Sequence, residues 1–340
     1  MRAPLLRLVL VPLAAAALLV VAFVDKPARA VAPPAPAPVP ARGAAPTATR
    51  GTATVAPTPA TAARATAAGG PRALLWKVSD ADNHLYLLGS FHVLKPTDYP
   101  LPASIDAAFA DAERIAFEVS PAEMRSPALA QKMLAAGMSD DGRTLSQRLK
   151  PTTWRKLEAY CASRGIPCDG LQSFEPWMAS LVISLSEATK LGYASDQGLD
   201  QVLIDRALAA NKPGSGLETA DQQIDALAGM GDAEQEQSLL EALDDVDGLG
   251  TRMEQLHDDW RRGDEQAIER LMTTELRDTY PALYQRINVA RNDAWLPKLR
   301  AMLDGGSRDD TLVVVGSMHL LGEDGLVAKL RRAGYRVERL

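Results

Sequence analysis

Two histidines occupy matching sequence contexts near opposite ends of the chain. One context is Leu85–Leu94, with the sequence LYLLGSFHVL, and the other is Leu312–Leu321, with the sequence LVVVGSMHLL. In both, an apolar run typical of a β-strand leads into glycine and serine, then an apolar residue, and then His92 or His319. Imidazole is the commonest metal ligand and a frequent general acid or base, so the repeated histidine loop indicates a site for chemistry.

The repeat predicts that both histidines lie at the carboxyl end of a sheet, the usual ligand crevice of open α/β sheets. Glycine lets the chain turn as it leaves each strand, and the two histidines meet if their strands are neighbours. Glu118 adds a carboxylate near the end of the predicted strand Arg114–Val119. Two imidazoles and a carboxylate are a recurring ligand set for divalent metals, which acidify bound water and polarise carbonyl groups.

Each candidate also has a structural interpretation. His92 and His319 would then only cap strand ends through hydrogen bonds to the backbone, and Glu118 would be an ordinary charge at a strand end. The repeated context favours the functional interpretation for the two histidines. Of the other two histidines, His84 begins a strand beside a turn and is predicted to lie at the surface, and His257 on a charged helical face is predicted to be structural.

The elements that position these residues follow from hydrophobic periodicity and from proline and glycine punctuation. We expect one α/β domain, with a central mixed sheet formed from both chain ends and a large helical middle layer. The predicted strands are Leu74–Val78, His84–Leu88, Arg114–Val119, Thr311–Gly316 and Tyr335–Leu340. The predicted helices are Ala103–Glu113, Ala128–Ala136, Pro151–Arg164, Pro176–Leu191, Gln197–Ala210, Ala220–Met230, Ala233–Val246, Thr251–Arg262, Gln266–Arg277, Ala282–Leu303 and Glu323–Ala333.

The N-terminal part has a different composition from the rest. Residues 1–30 combine a basic start, an apolar run at Leu8–Val24 and the small-x-small sequence Ala28–Ala30, which is typical of a secretory signal peptide. A span of a bilayer needs roughly 20 apolar residues, so an uncleaved membrane anchor is the alternative. Residues 31–70 are mostly Pro, Ala and Thr and predict a disordered linker. The protein is therefore predicted to be exported, either periplasmic or membrane-anchored, with its folded domain at 71–340.

The net charge of the folded part argues against a nucleic-acid partner, and the two cysteines suit an exported protein. The formal charge is −6, while residues 1–70 hold seven basic residues and one acidic residue, so the acidic excess belongs to the folded part. Phosphate backbones repel an acidic domain. Cys161 and Cys168 are predicted to form a local disulfide, with a metal site as the alternative.

Three groups of short motifs carry a resemblance to a known family. The first is Leu85–His92 with Leu101-Pro102, Ala112-Glu113 and Phe117–Val119; the second is Gly216–Thr219 with Asp221–Gln223; the third is Arg291–Trp295 with Val315–Leu320 and Gly334-Tyr335. On these motifs the sequence resembles the TraB/PrgY/GumN family, which includes the Tiki proteins. The similarity runs from about Leu74 to the end of the chain.

The resemblance implies an α/β fold related to the haem-binding ChaN-like and the erythromycin-esterase-like groups. It also implies a metal-dependent peptidase activity with manganese or cobalt as the preferred ion and zinc as a further option. The family pattern places His92, Glu118 and His319 at the centre of the site. A second group of matching positions comprises Glu218, Gln222, Arg291 and Asn292.

The leading functional hypothesis is a metal-dependent hydrolase of the bacterial cell envelope that acts on peptides or a secreted protein. The two repeated histidines would be metal ligands, and Glu118 would be a third ligand or the general base. Arg291 would stabilise an oxyanion or pair with a neighbouring acid, and Glu218 would act in catalysis or cap the helix that starts near Ala220. The alternatives are metal-free hydrolysis by the histidine–glutamate pair and a non-catalytic protein that binds haem, a metal or a peptide.

Overall fold

A computed structural model describes residues 72–244 and 246–340. The predicted signal peptide or membrane anchor at residues 1–30 and the predicted linker at 31–70 lie outside the described residues. Within the two described ranges, every helix is too short or too polar to cross a membrane.

A six-stranded mixed sheet forms the centre of the fold, with strand order β4-β3-β5-β2-β1-β6. Strands β4, β3, β5 and β2 run parallel to one another, and β1 is antiparallel to both β2 and β6. This confirms the predicted mixed sheet built from both chain ends. The strands are β1 (Leu75–Ser79), β2 (His84–Ser90), β3 (Arg114–Val119), β4 (Gly214–Glu218), β5 (Thr311–Gly316) and β6 (Arg336–Arg339).

The pairing of β2 with β5 joins the two halves of the sequence repeat. Ser90 lies opposite Gly316 in the parallel register, so the two histidine loops leave the same edge of the sheet side by side. Strand β5 is buried at every residue, as its uniformly apolar Leu312–Val315 core predicts for a strand covered on both faces.

Helices fill the chain between β3 and β5 except at β4, which confirms the predicted helical middle layer. Those between β3 and β5 are α2 (Pro121–Met124), α3 (Pro127–Gly137), α4 (Leu145–Arg148), α5 (Pro151–Arg164), α6 (Pro176–Lys190), α7 (Leu199–Ala209), α8 (Ala220–Ala228), α9 (Asp232–Asp244), α10 (Val246–Arg262), α11 (Glu265–Ile268), α12 (Glu275–Thr279), α13 (Pro281–Tyr284) and α14 (Ala290–Asp304). Helix α1 (Ala103–Asp111) lies before β3, and α15 (Leu326–Arg332) lies after β5. Proline begins α2, α3, α5, α6 and α13, because its fixed φ suits the first helical turn and its missing N–H costs nothing there.

Two features of the middle layer differ from the prediction. Strand β4 was not predicted, because its sequence GSGLE has no β-branched residue and becomes a strand only through pairing with β3. The predicted helix Gln266–Arg277 is interrupted by a π-helical segment at Glu269–Thr274, and the predicted helix Ala282–Leu303 by another at Gln285–Val289. Such segments shift the register of the side chains that follow and are frequent at functional sites.

The predicted disulfide between Cys161 and Cys168 is present, with a Cα–Cα distance of 5.7 Å. It ties the end of α5 to the turn Cys168–Leu171, beside a small apolar cluster that includes Leu157 and Tyr160. In the chain-entropy model a loop this short stabilises the fold by about 2 kcal/mol.

Candidate active site

The candidate site lies at the carboxyl ends of the four parallel strands. His92 follows β2, His319 follows β5, Glu118 lies one residue before the end of β3, and Glu218 is the last residue of β4. All four side chains are at least nine-tenths buried. Because parallel strands end at one edge of a sheet, residues that are far apart in sequence form one cluster here.

His92 is oriented by a carboxylate from α7. Its Nδ1 is 2.8 Å from Oδ2 of Asp200, so the ring donates its Nδ1 proton to that oxygen and turns Nε2 toward β5. A Cβ placed on Gly316 would lie 3.1 Å from this Nε2 and 3.3 Å from Oε1 of Glu118, so a side chain there would crowd the two groups that meet beside Gly316. Burial opposes a charge on His92, but the carboxylates of Asp200 and Glu118 outweigh it and raise its pKa to about 9.

His319 is oriented by an amide instead. The Nδ2 of Asn292 donates to the backbone oxygens of His319 and Asp324, which leaves Oδ1 of Asn292 2.8 Å from Nδ1 of His319. Nδ1 therefore carries the proton, and Nε2 accepts from Nη1 of Arg291 at 3.1 Å. Burial and the charge of Arg291 lower the pKa of His319 to about 3, so this ring is neutral at neutral pH.

Glu118 lies between the two histidine loops and is held ionised. Its Oε1 accepts the backbone N–H of Gly316 at 2.7 Å, and its Oε2 accepts from Gln223 at 2.8 Å and from Arg291 at 2.6 Å. Burial alone would favour the neutral acid, but Arg291, the two histidines and the Gly316 N–H outweigh burial and lower the pKa to about 2. Oε1 is the oxygen that faces the loops and is not bound by the guanidinium.

Arg291, from α14, links both buried glutamates to the second loop. Nε and Nη2 donate to Glu218, Nη2 also donates to Glu118, and Nη1 donates to the Ile287 backbone oxygen and to His319. The five N–H donors of the guanidinium are thus all used within the site, and the side chain does not lie on a surface helix. Glu218 also accepts from the indole N–H of Trp295 at 3.1 Å, and burial raises its pKa.

The predicted cap role of Glu218 is wrong. The N-cap of α8 is Thr219, whose side chain accepts the N–H of Gln222, while the side chain of Gln222 accepts the N–H of Thr219. Gln222 is therefore an exposed capping residue, and the adjacent Gln223 is the residue that reaches Glu118. A capping box satisfies the same backbone donors that a Glu218 cap would have served.

The predicted metal ligands His92, His319 and Glu118 lie together, and their atom types suit a divalent ion. In both histidines an oxygen acceptor holds Nδ1, as is usual for metal-bound imidazoles. However, Arg291 already occupies the lone pair of His319 Nε2 and one Glu118 oxygen. The three side chains therefore do not fit a metal ion in this arrangement, and within the described ranges no group of three or more His, Cys, Asp or Glu side chains is arranged to hold one.

A small cavity of about 30 Å³ lies between the two loops. Both histidines, Ser90, Ser317 and Gly316 form its polar side. The rest of the lining is apolar and comes from Phe91, Val93, Met253, Leu256, Met272 and Met318. A water molecule needs about 10–15 Å³ of such space, so the cavity has room for a water molecule beside the reacting groups.

The two structural histidines lie away from this cavity. His257, on α10, is buried with Nε2 2.9 Å from Oδ2 of Asp98, and its ring contacts the ring of Phe91 edge-on. Trp260, one turn further along, donates its indole N–H to the Gly89 backbone oxygen. Helix α10 therefore packs against the first histidine loop through His257 and Trp260. His84 begins β2 and is half-buried.

Three residues of the site were missed from the sequence as functional: Asp200, Gln223 and Trp295. The available signal for Asp200 was Gly198, a glycine directly before a helix whose first turn carries an acid. A Cβ on Gly198 would lie 2.1 Å from the backbone oxygen of His92, so the glycine permits the close approach that delivers Asp200 to the ring. Gln223 and Trp295 are the last residues of the motifs Asp221–Gln223 and Arg291–Trp295, which was the available signal for them, and the packing of α8 and α14 makes them partners of the two glutamates.

The family model described as TraB/PrgY/gumN family matches residues 74–339. The chain belongs to the TraB/PrgY/gumN family. The matched range contains every strand of the sheet and every residue of the site described above, so the family pattern and the cluster are the same part of the molecule.

Two curated relatives come from enteric bacteria. The chain is 27% identical over 256 residues to "Uncharacterized protein YbaP" of Escherichia coli (strain K12), which covers 74% of this chain and 89% of that protein. It has the same identity and coverage with "Uncharacterized protein YbaP" of Shigella flexneri. No solved structure matches the chain.

Proposed function

We propose that this protein is a hydrolase of the cell envelope that cleaves peptide bonds at the edge where the two histidine loops meet. The observation that carries the proposal is that His92 and Glu118 meet beside Gly316: His92 is held by the Asp200 carboxylate, and Glu118 is held by the Gly316 N–H and the Arg291 guanidinium. Titratable groups whose protonation states are driven apart in this way are a common sign of acid and base roles.

In this proposal His92 is the general acid. Asp200 keeps its ring protonated, because the raised pKa of about 9 lies above neutral pH, and its Nε2 is directed toward the space beside Gly316. A protonated imidazole in that position donates a proton to the leaving nitrogen when an amide bond breaks.

Glu118 is the general base. Its Oε1 points toward the same space beside Gly316, and among residues 72–244 and 246–340 the Gly316 N–H is its only hydrogen-bond donor, which leaves a lone pair for the proton of an attacking water. Arg291 positions this carboxylate through its other oxygen and keeps it ionised. The low pKa makes Glu118 a weak base, so we expect slow turnover on unactivated peptides.

The proposed reaction uses no metal ion because Arg291 occupies Nε2 of His319 and one oxygen of Glu118, two of the positions that manganese, cobalt or zinc would need. The family resemblance implies such an ion, so added metal is an arm of the experiment. A role as a haem-binding protein has less support, because ligand pockets are typically about 300–1,000 Å³ and the cavity beside the histidines is about 30 Å³.

A location in the envelope is proposed from residues 1–30, whose basic start, apolar run and small-x-small sequence suit export. If the apolar run Leu8–Val24 is retained, it tethers the domain to the membrane and the site faces peptides or secreted proteins outside the cytoplasm. Fractionation of cells that produce the full chain, with the N-terminus of the mature protein sequenced, tests cleavage and location.

The activity is tested with the full-length protein and a panel of internally quenched peptides. Each assay is run after chelation and again with manganese, cobalt or zinc, and the variants are His92→Gln, Glu118→Gln and His319→Gln. Hydrolysis by the native protein that His92→Gln and Glu118→Gln each reduce by about 100-fold or more supports the proposal, and His319→Gln measures the contribution of the second loop.

Metal content of the native protein and of a His92→Ala/His319→Ala double variant separates the two chemical routes. Activity that survives chelation supports the metal-free route. About one bound ion per chain that disappears in the double variant, together with activity lost on chelation, supports a metal-dependent route in which Arg291 moves. Absence of hydrolysis in every arm overturns the proposed function.

A further inference from the structure

Among the described residues that line the cavity between the histidine loops, Met272 is the most exposed. It is half-buried, whereas the other ten, from both loops and from α10, are buried. Met253 and Leu256 are each 1% exposed, and Phe91 and His92 are 7% and 9% exposed. Met272 therefore marks the part of the cavity wall that is nearest to solvent.

The backbone around Met272 explains why this residue reaches the cavity. Met272 belongs to the π-helical segment Glu269–Thr274, which packs against the Ser317–His319 turn of the second loop. The wider π turn interrupts the regular helical spacing. Leu271, its neighbour in the segment, is also half-buried but does not line the cavity.

The cavity volume limits what can enter while Met272 stays in place. About 30 Å³ accommodates water or a group near the size of a methyl, and a leucine or phenylalanine side chain requires a wall to move. The buried apolar lining residues are packed in the hydrophobic core, which restricts their movement. Methionine is unbranched with a flexible thioether, so Met272 is the wall residue that can adjust, at a cost that grows with the size of the entering group.

We infer that Met272 is the specificity-determining residue of the site and restricts it to peptides with a small side chain, glycine or alanine, on the residue that supplies the scissile carbonyl. This inference rests on the proposed hydrolysis for its substrate, but the gate itself is a property of the cavity. The residue that discriminates between substrates thus lies in the helical layer, whereas the proposed catalytic residues lie at the edge of the sheet.

The test compares the native protein with Met272→Ala and with the matched control Leu271→Ala, all full-length. Peptides that differ only in Gly, Ala, Leu or Phe before the scissile bond are hydrolysed side by side. We expect native kcat/KM to favour Ala over Leu by about tenfold or more, and Met272→Ala to remove that preference, because a few methylenes in an apolar pocket change rates by about 10- to 200-fold. Leu271→Ala should keep the native preference.

A second readout does not depend on turnover. Diethyl pyrocarbonate modifies accessible imidazoles, and mass spectrometry locates the modified residue. The Arg291 hydrogen bond to Nε2 of His319 slows its modification equally in all three proteins, so a difference in rate reports access to the cavity. The modification rate of His319 should rise about tenfold in Met272→Ala and stay at the native rate in Leu271→Ala. Equal rates in all three proteins, or a native preference for Leu or Phe, overturns the inference. Absent hydrolysis with a raised modification rate in Met272→Ala would overturn the proposed function and retain the gate.

Discussion

The two histidine loops share one sequence pattern and have opposite electrostatics. His92 in the first loop faces the Asp200 carboxylate and is protonated at neutral pH, whereas His319 in the second loop faces Asn292 and Arg291 and is neutral. The serines differ too: Oγ of Ser317 donates to the Ser90 backbone oxygen at 2.9 Å, while Oγ of Ser90 has no hydrogen-bond partner among the described residues. The shared motif thus positions each histidine side chain, and the neighbouring groups determine the charge of that side chain.

The largest expected effect comes from removing the cation that distinguishes the second loop. Arg291→Met leaves the buried carboxylates of Glu118 and Glu218 without their shared partner, so we expect a loss of about 3–5 kcal/mol in the free energy of unfolding. Urea denaturation followed by circular dichroism measures it. Arg300→Met, at an exposed position of the same helix, is the control and should leave stability unchanged. A loss no larger than that of the control would show that Arg291 does not hold the glutamates.

Exchanging the partners of the two histidines should erase the difference between the loops. Asp200→Asn is expected to lower the pKa of His92 from about 9 toward its ordinary value of 6.5, because the carboxylate that stabilises the imidazolium is gone. Asn292→Asp is expected to raise the pKa of His319 from about 3, for the converse reason. Imidazole proton shifts followed by NMR across the pH range report both. Unchanged titration of His92 in Asp200→Asn would contradict the assignment.

The two loops should also give opposite dependence of stability on pH. His92 has a folded pKa above its unfolded value, so its contribution is complete below about pH 6.5 and is lost as pH rises through about 9. His319 has a folded pKa below its unfolded value, so stability is lost as pH falls from about 6.5 toward 3. Each slope is at most about 1.4 kcal/mol per pH unit.

Unfolding measured with chelator present separates these slopes. His92→Gln should flatten the alkaline side only, and His319→Gln the acidic side only. Glu118, whose pKa is lowered to about 2, adds a further loss at the acidic extreme in all variants, because its stabilising charge disappears as it is protonated. Identical pH profiles for the two variants would contradict the proposed difference between the loops.

The smallest effect concerns the serines. Ser317→Ala removes the hydrogen bond to the Ser90 backbone oxygen and should cost about 1 kcal/mol of stability. Ser90→Ala removes a buried hydroxyl without a partner among the described residues, so the free energy of unfolding should stay the same or rise slightly. Chemical denaturation of the two variants together decides this, and a larger loss for Ser90→Ala would reverse the comparison.

Sequence reasoning located the central cluster because the relevant signals are local. An apolar strand that runs into Gly-Ser-x-His places its histidine past the end of the strand. The sequence left open whether the two strands are neighbours, and the β2–β5 pairing shows that they are. The same reasoning missed β4, whose five residues GSGLE have little strand propensity, and so did not place Glu218 at the sheet edge. It also missed the two π segments, because they depend on how the helices pack on the loops.

The sequence by itself determined the α/β class, the disulfide, the strand ends that carry His92 and His319, and the position of Glu118 beside them. Each of these depends on residue types within one short segment, where periodicity, turn residues or spacing act directly. Only the tertiary structure decided the partner of each group: Asp200 for one histidine, Asn292 for the other, and Arg291 for both glutamates. Charge depends on the distance to neighbours from other segments, and those distances exist only once the helices pack against the sheet edge.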